Sequence, residues 1–129
     1  LTRTTGTSAH SAERSEAFFA SLGLHTAWVG DAPGLVLGRL VCQLVNEAAF
    51  AAGEGVGSVQ DIDDGMVLGL NHPRGPLAWG DAIGLEHVLV ALDALHAEYG
   101  DAYRSAPLLR ELVLTGRLGA STGHGFHEH

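Results

Sequence analysis

The chain has no lysine and only one cysteine among its 129 residues. A lone Cys42 cannot form an internal disulfide and is compatible with the cytosol. The seven basic residues are all arginines and are scattered, so no basic stripe could neutralise a phosphate backbone. The formal net charge is −8. We therefore expect no nucleic-acid partner.

Long hydrophobic runs are also missing. The most apolar region, residues 33–52, is interrupted by Arg39 and Glu47, whereas a membrane span needs about 20 mostly apolar residues. Arg3 and Arg14 break up the N-terminus, which therefore lacks a signal-peptide pattern. Hydrophobic residues still make up 46% of the chain, enough for the core of one compact domain. No membrane partner and a cytoplasmic location are expected.

The first 30 residues predict one helix and one short strand. Ser8 or Ser11 can cap a helix that runs to about Leu22, and Gly23 provides its left-handed end. Residues 25–29 alternate in polarity as a brief strand would.

A second, longer helix is predicted from about Pro33 to Glu54. Proline suits an early helical position because no N–H is needed there. Apart from one narrow polar stripe, the surface of this helix is strongly apolar. We therefore expect several neighbouring elements, and a partner chain or domain, to cover it. The polar residues form one narrow stripe: Arg39, Gln43, Asn46 or Glu47, and Glu54.

Three further helices are predicted before a glycine-rich, irregular tail. Ser58 followed by Asp61 resembles a capping arrangement for a short helix that ends near Leu70. The apolar periodicity predicts a fourth helix over residues 79–99 and a fifth over 107–115. The chain is therefore expected to be all-α.

Eight short motifs stand along the chain from Asp31 to Phe126. They are Asp31-Ala32-Pro33-Gly34, Asn46-Glu47-Ala48, Glu54-Gly55-Val56, Asp61-Ile62-Asp63, Gly75-Pro76-Leu77, Asp81-Ala82-Ile83-Gly84-Leu85, Gly116-Arg117-Leu118-Gly119 and Thr122-Gly123-His124-Gly125-Phe126. Each motif is weak alone, but the ordered set is fairly specific. The motifs occur in the order found in the 3-hydroxyacyl-CoA dehydrogenase family, and the chain resembles the C-terminal helical domain of that family.

The resemblance implies a helical bundle like the C-terminal domain of 6-phosphogluconate dehydrogenase-like enzymes, over residues 31–129. It implies that residues 1–30 are the last helix and strand of a preceding nucleotide-binding domain. The family transfers hydride between a 3-hydroxyacyl-CoA and NAD, and its catalytic histidine and dinucleotide site lie in that missing domain. This chain alone is expected to bind no cofactor and to perform no catalysis. Its implied roles are homodimerisation and closure over the acyl-CoA.

Three residues are candidates for contact with substrate or the missing domain. Gly38 stands where the family has a site asparagine, and it has no side chain to donate or accept a hydrogen bond. Arg39 keeps the family's arginine, which could contact the nucleotide-binding half or pair on the helix surface with Asp31 or Glu47. Cys42 is expected to be a buried thiol rather than a nucleophile. Gly38 favours an alternative function, a degenerate interaction or regulatory domain on the same scaffold.

Other residues that could bind a metal or phosphate, or act in catalysis, are not expected to do so. His72 is expected to be a solvated loop residue. Asp61, Asp63 and Asp64 lack the spacing of a calcium loop and are expected to be solvated at a helix start. The histidines of the tail, at 124, 127 and 129, superficially suit zinc, but they lie on a terminus expected to be flexible. Glycines 53, 55 and 57 follow a helix, unlike a phosphate-binding loop.

Overall fold

The computed structural model describes the whole chain, residues 1–129, and it is all-α, as predicted. No helix is long and apolar enough to cross a membrane. The only β-type pairing is isolated bridges, one of which joins Thr2 and Val29 in parallel, so the strand predicted over residues 25–29 is reduced to one bridge residue. The helices are α1 (Ala9–Ser21), α2 (Leu37–Gly53), α3 (Val59–Leu70), α4 (Pro76–Ile83), α5 (Leu85–Tyr99) and α6 (Pro107–Leu114).

Two helix starts follow from local capping, as predicted. The Ser8 hydroxyl accepts from the backbone N–H of Ser11 at the start of α1. The Ser58 hydroxyl accepts from the N–H of Asp61 at the start of α3. Each bond satisfies an N–H group that has no partner within the helix. Gly23, just beyond α1, has φ of 73°, which is the expected left-handed end.

Helix α2 is the centre of the bundle and packs against α3, α4, α5 and α6. Its buried side chains join leucines and valines of those neighbours in one core. Most of the apolar circumference of α2 is thus covered within the chain itself. An apolar stripe near its N-terminal end, Leu37 and Leu40, remains 75% and 60% exposed.

The start of α2 differs from the prediction. Gly34 and Leu35 both have positive φ, 71° and 50°, which is incompatible with a right-handed helix, so α2 begins at Leu37 and not at Pro33. The N–H of Arg39 bonds to the carbonyl of Gly34 across this turn. Proline here begins a tight turn that leads into the helix.

The predicted fourth helix is in fact two helices, separated at Gly84. Its φ of 100° lies outside the range available to a helical residue. The N–H of Leu85 bonds to the carbonyl of Leu118 rather than to the preceding helix.

The side chain of Asn46 on α2 holds the loop before α6, since it donates to the Arg104 carbonyl at 2.9 Å and accepts from the Ala106 N–H at 2.8 Å. Asn46 is therefore buried and not part of the exposed polar stripe.

Candidate functional site

The N-terminal end of α2 brings together the sequence-predicted site residues. Gly38 and Arg39 lie in the first turn of the helix, and Cys42 lies one turn further on. Gly38 is aligned with the core-facing positions of α2, yet a Cβ built there would have no atom within 4 Å. A side chain at residue 38 would therefore project from the end of the bundle into open space.

Arg39 is held by two tyrosines, contrary to the expected pairing with Asp31 or Glu47. Its guanidinium lies 4.9 Å from the ring centroids of both Tyr99 and Tyr103 and donates to the Tyr103 hydroxyl. A side-chain hydrogen bond with Glu98 is the main cause that raises the pKa of Tyr99, and Arg39 opposes it. The arginine therefore fixes the start of α2 against the end of α5.

Cys42 is buried in the core, as predicted. Burial raises the pKa of its thiol, because desolvation disfavours the thiolate. A thiol held in its neutral form is a poor nucleophile, so the cysteine serves packing.

A hollow of about 420 Å³ opens beside these residues. It lies between the 30–32 segment, which precedes the bundle, and the exposed face of α2. Leu35, Val36 and Leu40 form its apolar wall, while Asp31, Arg39 and Tyr99 supply polar groups. This end of the bundle is therefore open and largely apolar, and the guanidinium of Arg39 is held in place beside it.

Two buried carboxylates hold α3, α4 and the C-terminal tail together, and sequence reasoning missed both roles. Asp63 accepts from the N–H groups of Leu77 and Ala78 at 2.8 and 2.9 Å, and so caps α4. It is buried, where a solvated helix-start residue was expected. Its Oδ2 also lies 2.8 Å from Nε2 of His127.

Asp81 ties down the C-terminal tail. It is 1% exposed and accepts from the N–H groups of Phe126 and His127 at 2.9 and 2.8 Å. Its Oδ2 lies 3.1 Å from Nε2 of His129. The tail is therefore bonded to the bundle and is not the free terminus that the sequence predicted.

The remaining candidates are kept apart. His124 pairs with Glu128, whereas the other two tail histidines contact Asp63 and Asp81, and no cluster suited to a metal ion forms. His72 is half-buried near Trp79, with ring centroids 6.1 Å apart, rather than fully solvated. Residues 53–57 connect the end of α2 to α3 without a preceding strand, so they do not fit a dinucleotide.

The bundle, with its long central helix and its tied-back tail, has close structural counterparts. It superposes with a TM-score of 0.94 on (S)-3-hydroxybutyryl-CoA dehydrogenase PaaH1 from Ralstonia eutropha, at 42% identity. It does so equally, at 33% identity, on FadB2 from M. tuberculosis. Each match covers 100% of this chain but 46% of the other. The fold is thus that of the all-α C-terminal domain of such dehydrogenases.

Sequence comparison gives the family. Residues 34–129 match the family model described as "3-hydroxyacyl-CoA dehydrogenase, C-terminal domain". The probable 3-hydroxybutyryl-CoA dehydrogenase of Bacillus subtilis (strain 168) is 43% identical over 109 residues, which are 84% of this chain and 38% of that protein. The chain belongs to the 3-hydroxyacyl-CoA dehydrogenase family. It spans less than half the length of the curated relatives it matches.

Proposed function

We propose that this chain is the C-terminal helical domain of an NAD-dependent 3-hydroxyacyl-CoA dehydrogenase. The parent protein acts in fatty-acid or related acyl-CoA oxidation in the cytoplasm. The domain serves homodimerisation and closes over the acyl-CoA, and it is not catalytic alone. One observation carries the proposal: the open apolar start of α2, beside Gly38, lies where the family resemblance puts the substrate.

The proposed division is a remnant over residues 1–30 and a helical domain over 31–129. In the remnant, Thr2 and Val29 form a parallel bridge, and helix α1 lies between them in the chain. Parallel strands joined through a helix are typical of nucleotide-binding domains. Phe18 on α1 and Leu22 just after it are exposed, as expected if the rest of that domain normally covers them.

The catalytic groups and the NAD site belong to the missing domain in this proposal. The chain contributes Gly38 and the Arg39 clamp to the domain contact, while Cys42 packs behind them. Relatives are named for 3-hydroxybutyryl-CoA, so acetoacetyl-CoA with NADH is the first substrate pair to assay in the reductive direction.

Activity of the parent protein is the direct test. We expect the chain alone to show no NADH oxidation with acetoacetyl-CoA above a mock preparation, and the full-length parent to show turnover. Gly38→Asn in the parent should raise kcat/KM about tenfold, because one polar side chain regained at the substrate contributes about 1.4 kcal/mol. Nothing within the helical domain opposes the asparagine, since a Cβ at residue 38 meets no atom of this chain within 4 Å.

The same assay separates the alternative function. Gly65→Asn on the exposed side of α3 is the control, and it should leave the rate of the parent unchanged. If the full-length parent is inactive and Gly38→Asn does not restore its activity, the result would favour the alternative function, a degenerate interaction domain. Turnover by the isolated chain would refute the proposed division of labour.

Dimerisation is expected through α2 and its neighbours. Leu37, Leu40 and Leu44 lie on one side of the helix, and the first two are largely exposed. Light scattering on the chain should give twice the 13.4 kDa monomer mass. Leu40→Asp should weaken the dimer at least tenfold, whereas Leu114→Asp at the exposed end of α6 should not. A strict monomer at high concentration would count against this role.

A further inference from the structure

A second hollow lies at the other end of α2, roughly 24 Å from Gly38 at 1.5 Å rise per helical residue. Its volume is about 420 Å³. The last turn of α2 forms one wall, with Phe50, Gly53 and Glu54, and the start of α6 forms the other. None of the predicted site residues lies near it.

The position between two helix ends makes this hollow dipolar. The C-terminus of α2 carries partial negative charge, and Glu54 caps it. The N-terminus of α6 carries partial positive charge, and no side chain caps its first N–H groups. Partial charges of opposite sign thus face the same space from its two walls.

The charged side chains of the hollow are unpaired. Arg104 stacks on Phe50, with its guanidinium carbon 5.3 Å from the ring centroid, and makes no salt bridge. The carboxylates of Glu54 and Glu111 likewise accept no hydrogen bond and form no ion pair within the chain, and all three of these charged residues are exposed. One cation and two anions therefore line the hollow without neutralising one another.

Ser105 supplies an independent sign of a missing ligand. It lines the hollow and is 4% exposed, yet its hydroxyl has no hydrogen-bond partner. Asn46 holds the backbone on both sides of it, at Arg104 and Ala106, so the serine cannot readily move away. A buried hydroxyl without a partner is unfavourable, and a polar ligand would satisfy it.

We propose that this hollow binds a small zwitterion, an α-amino acid with an aliphatic side chain. Its carboxylate lies toward Arg104, Ser105 and the start of α6. Its ammonium lies toward Glu54 and the end of α2, and its side chain packs on Phe50 and Leu108. The volume falls within the range of small-molecule sites. This site is separate from the proposed acyl-CoA closure and does not depend on dehydrogenase activity.

Three related ligands test the dipolar character. The full chain, labelled with ¹⁵N, is titrated with L-leucine, with 4-methylpentanoate, which lacks the ammonium, and with 3-methylbutylamine, which lacks the carboxylate. Leucine should bind at least tenfold more tightly than either, with shifts at Gly53, Ser105 and Leu108. Equal binding of all three ligands, shifts confined to other residues, or no shifts would overturn the proposal.

Two variants test the contacts. Ser105→Ala should weaken leucine binding about fivefold while leaving the unfolding midpoint unchanged or raised, because the alanine removes an unsatisfied hydroxyl. Glu54→Gln should weaken it about tenfold. Glu13→Gln on α1 changes the net charge identically at a distant exposed residue and should have no effect. Unchanged leucine affinity in both Ser105→Ala and Glu54→Gln would refute the site.

Discussion

Asp81→Ala is expected to destabilise the chain by about 3 to 5 kcal/mol, the largest effect of any substitution considered. The carboxylate accepts two backbone N–H bonds from the tail, and each bond to a charged acceptor contributes about 1.5 to 3 kcal/mol. Its removal also leaves His129 without a partner. Urea denaturation followed by circular dichroism should show a much lower midpoint at a similar slope.

A matched carboxylate provides the control for Asp81→Ala. Asp64 is exposed and bonds only to the side chain of Gln60, so Asp64→Ala should change stability by less than about 0.5 kcal/mol. Limited proteolysis should release the tail of the Asp81→Ala protein, with cleavage after residue 117, before the bundle is cut. A loss of less than 1 kcal/mol with a protected tail would show that Phe126 packing, not the carboxylate, anchors the tail.

Locally encoded features of this fold could be predicted from sequence. Ser8, Ser58 and Gly23 determine helix ends through their own hydrogen bonds and dihedral angles, and these ends were confirmed. The burial of Cys42 followed from its place in an apolar helix. Such signals involve residues within one or two turns, where spacing along the chain and separation in space agree.

The errors have physical reasons of two kinds. Gly84 interrupts an apolar periodicity that otherwise continues from α4 into α5, so periodicity alone concealed the break. The glycine itself was the available signal for a break, because glycine readily adopts the positive φ that ends a helix. Pro33 suited a helix start, but the adjacent positive φ values at Gly34 and Leu35 were not visible in the pattern.

The second kind of error concerns distant pairings. Asp63 and Asp81 have their partners across gaps of 14 to 64 residues, and nothing local distinguishes them from surface acids. Arg39 likewise contacts tyrosines 60 or more residues away. Gly38 marked the start of α2 as the candidate site, which stays a prediction, whereas the contacts of Arg39 with the tyrosines required the tertiary structure.

Gly75→Ala is expected to destabilise the chain by about 2 to 3 kcal/mol, although alanine suits the backbone there. Gly75 has φ of −65° and ψ of 148°, which any residue adopts. A Cβ at this residue would overlap the Asp63 carboxyl group that caps α4. The carboxylate must move, and the buried N–H of Leu77 then loses its acceptor. Thermal unfolding should register a fall of about 10 °C.

Gly65→Ala is the matched control, and its expected effect has the opposite sign. Gly65 lies within α3, and a Cβ there meets no atom within 4 Å. Alanine should stabilise the helix by about 0.8 to 1 kcal/mol, because it lowers the conformational entropy of the unfolded chain. The two substitutions add the same methyl group about ten residues apart. If both stabilised the chain, Asp63 could move without loss, and its proposed role as the cap of α4 would be wrong.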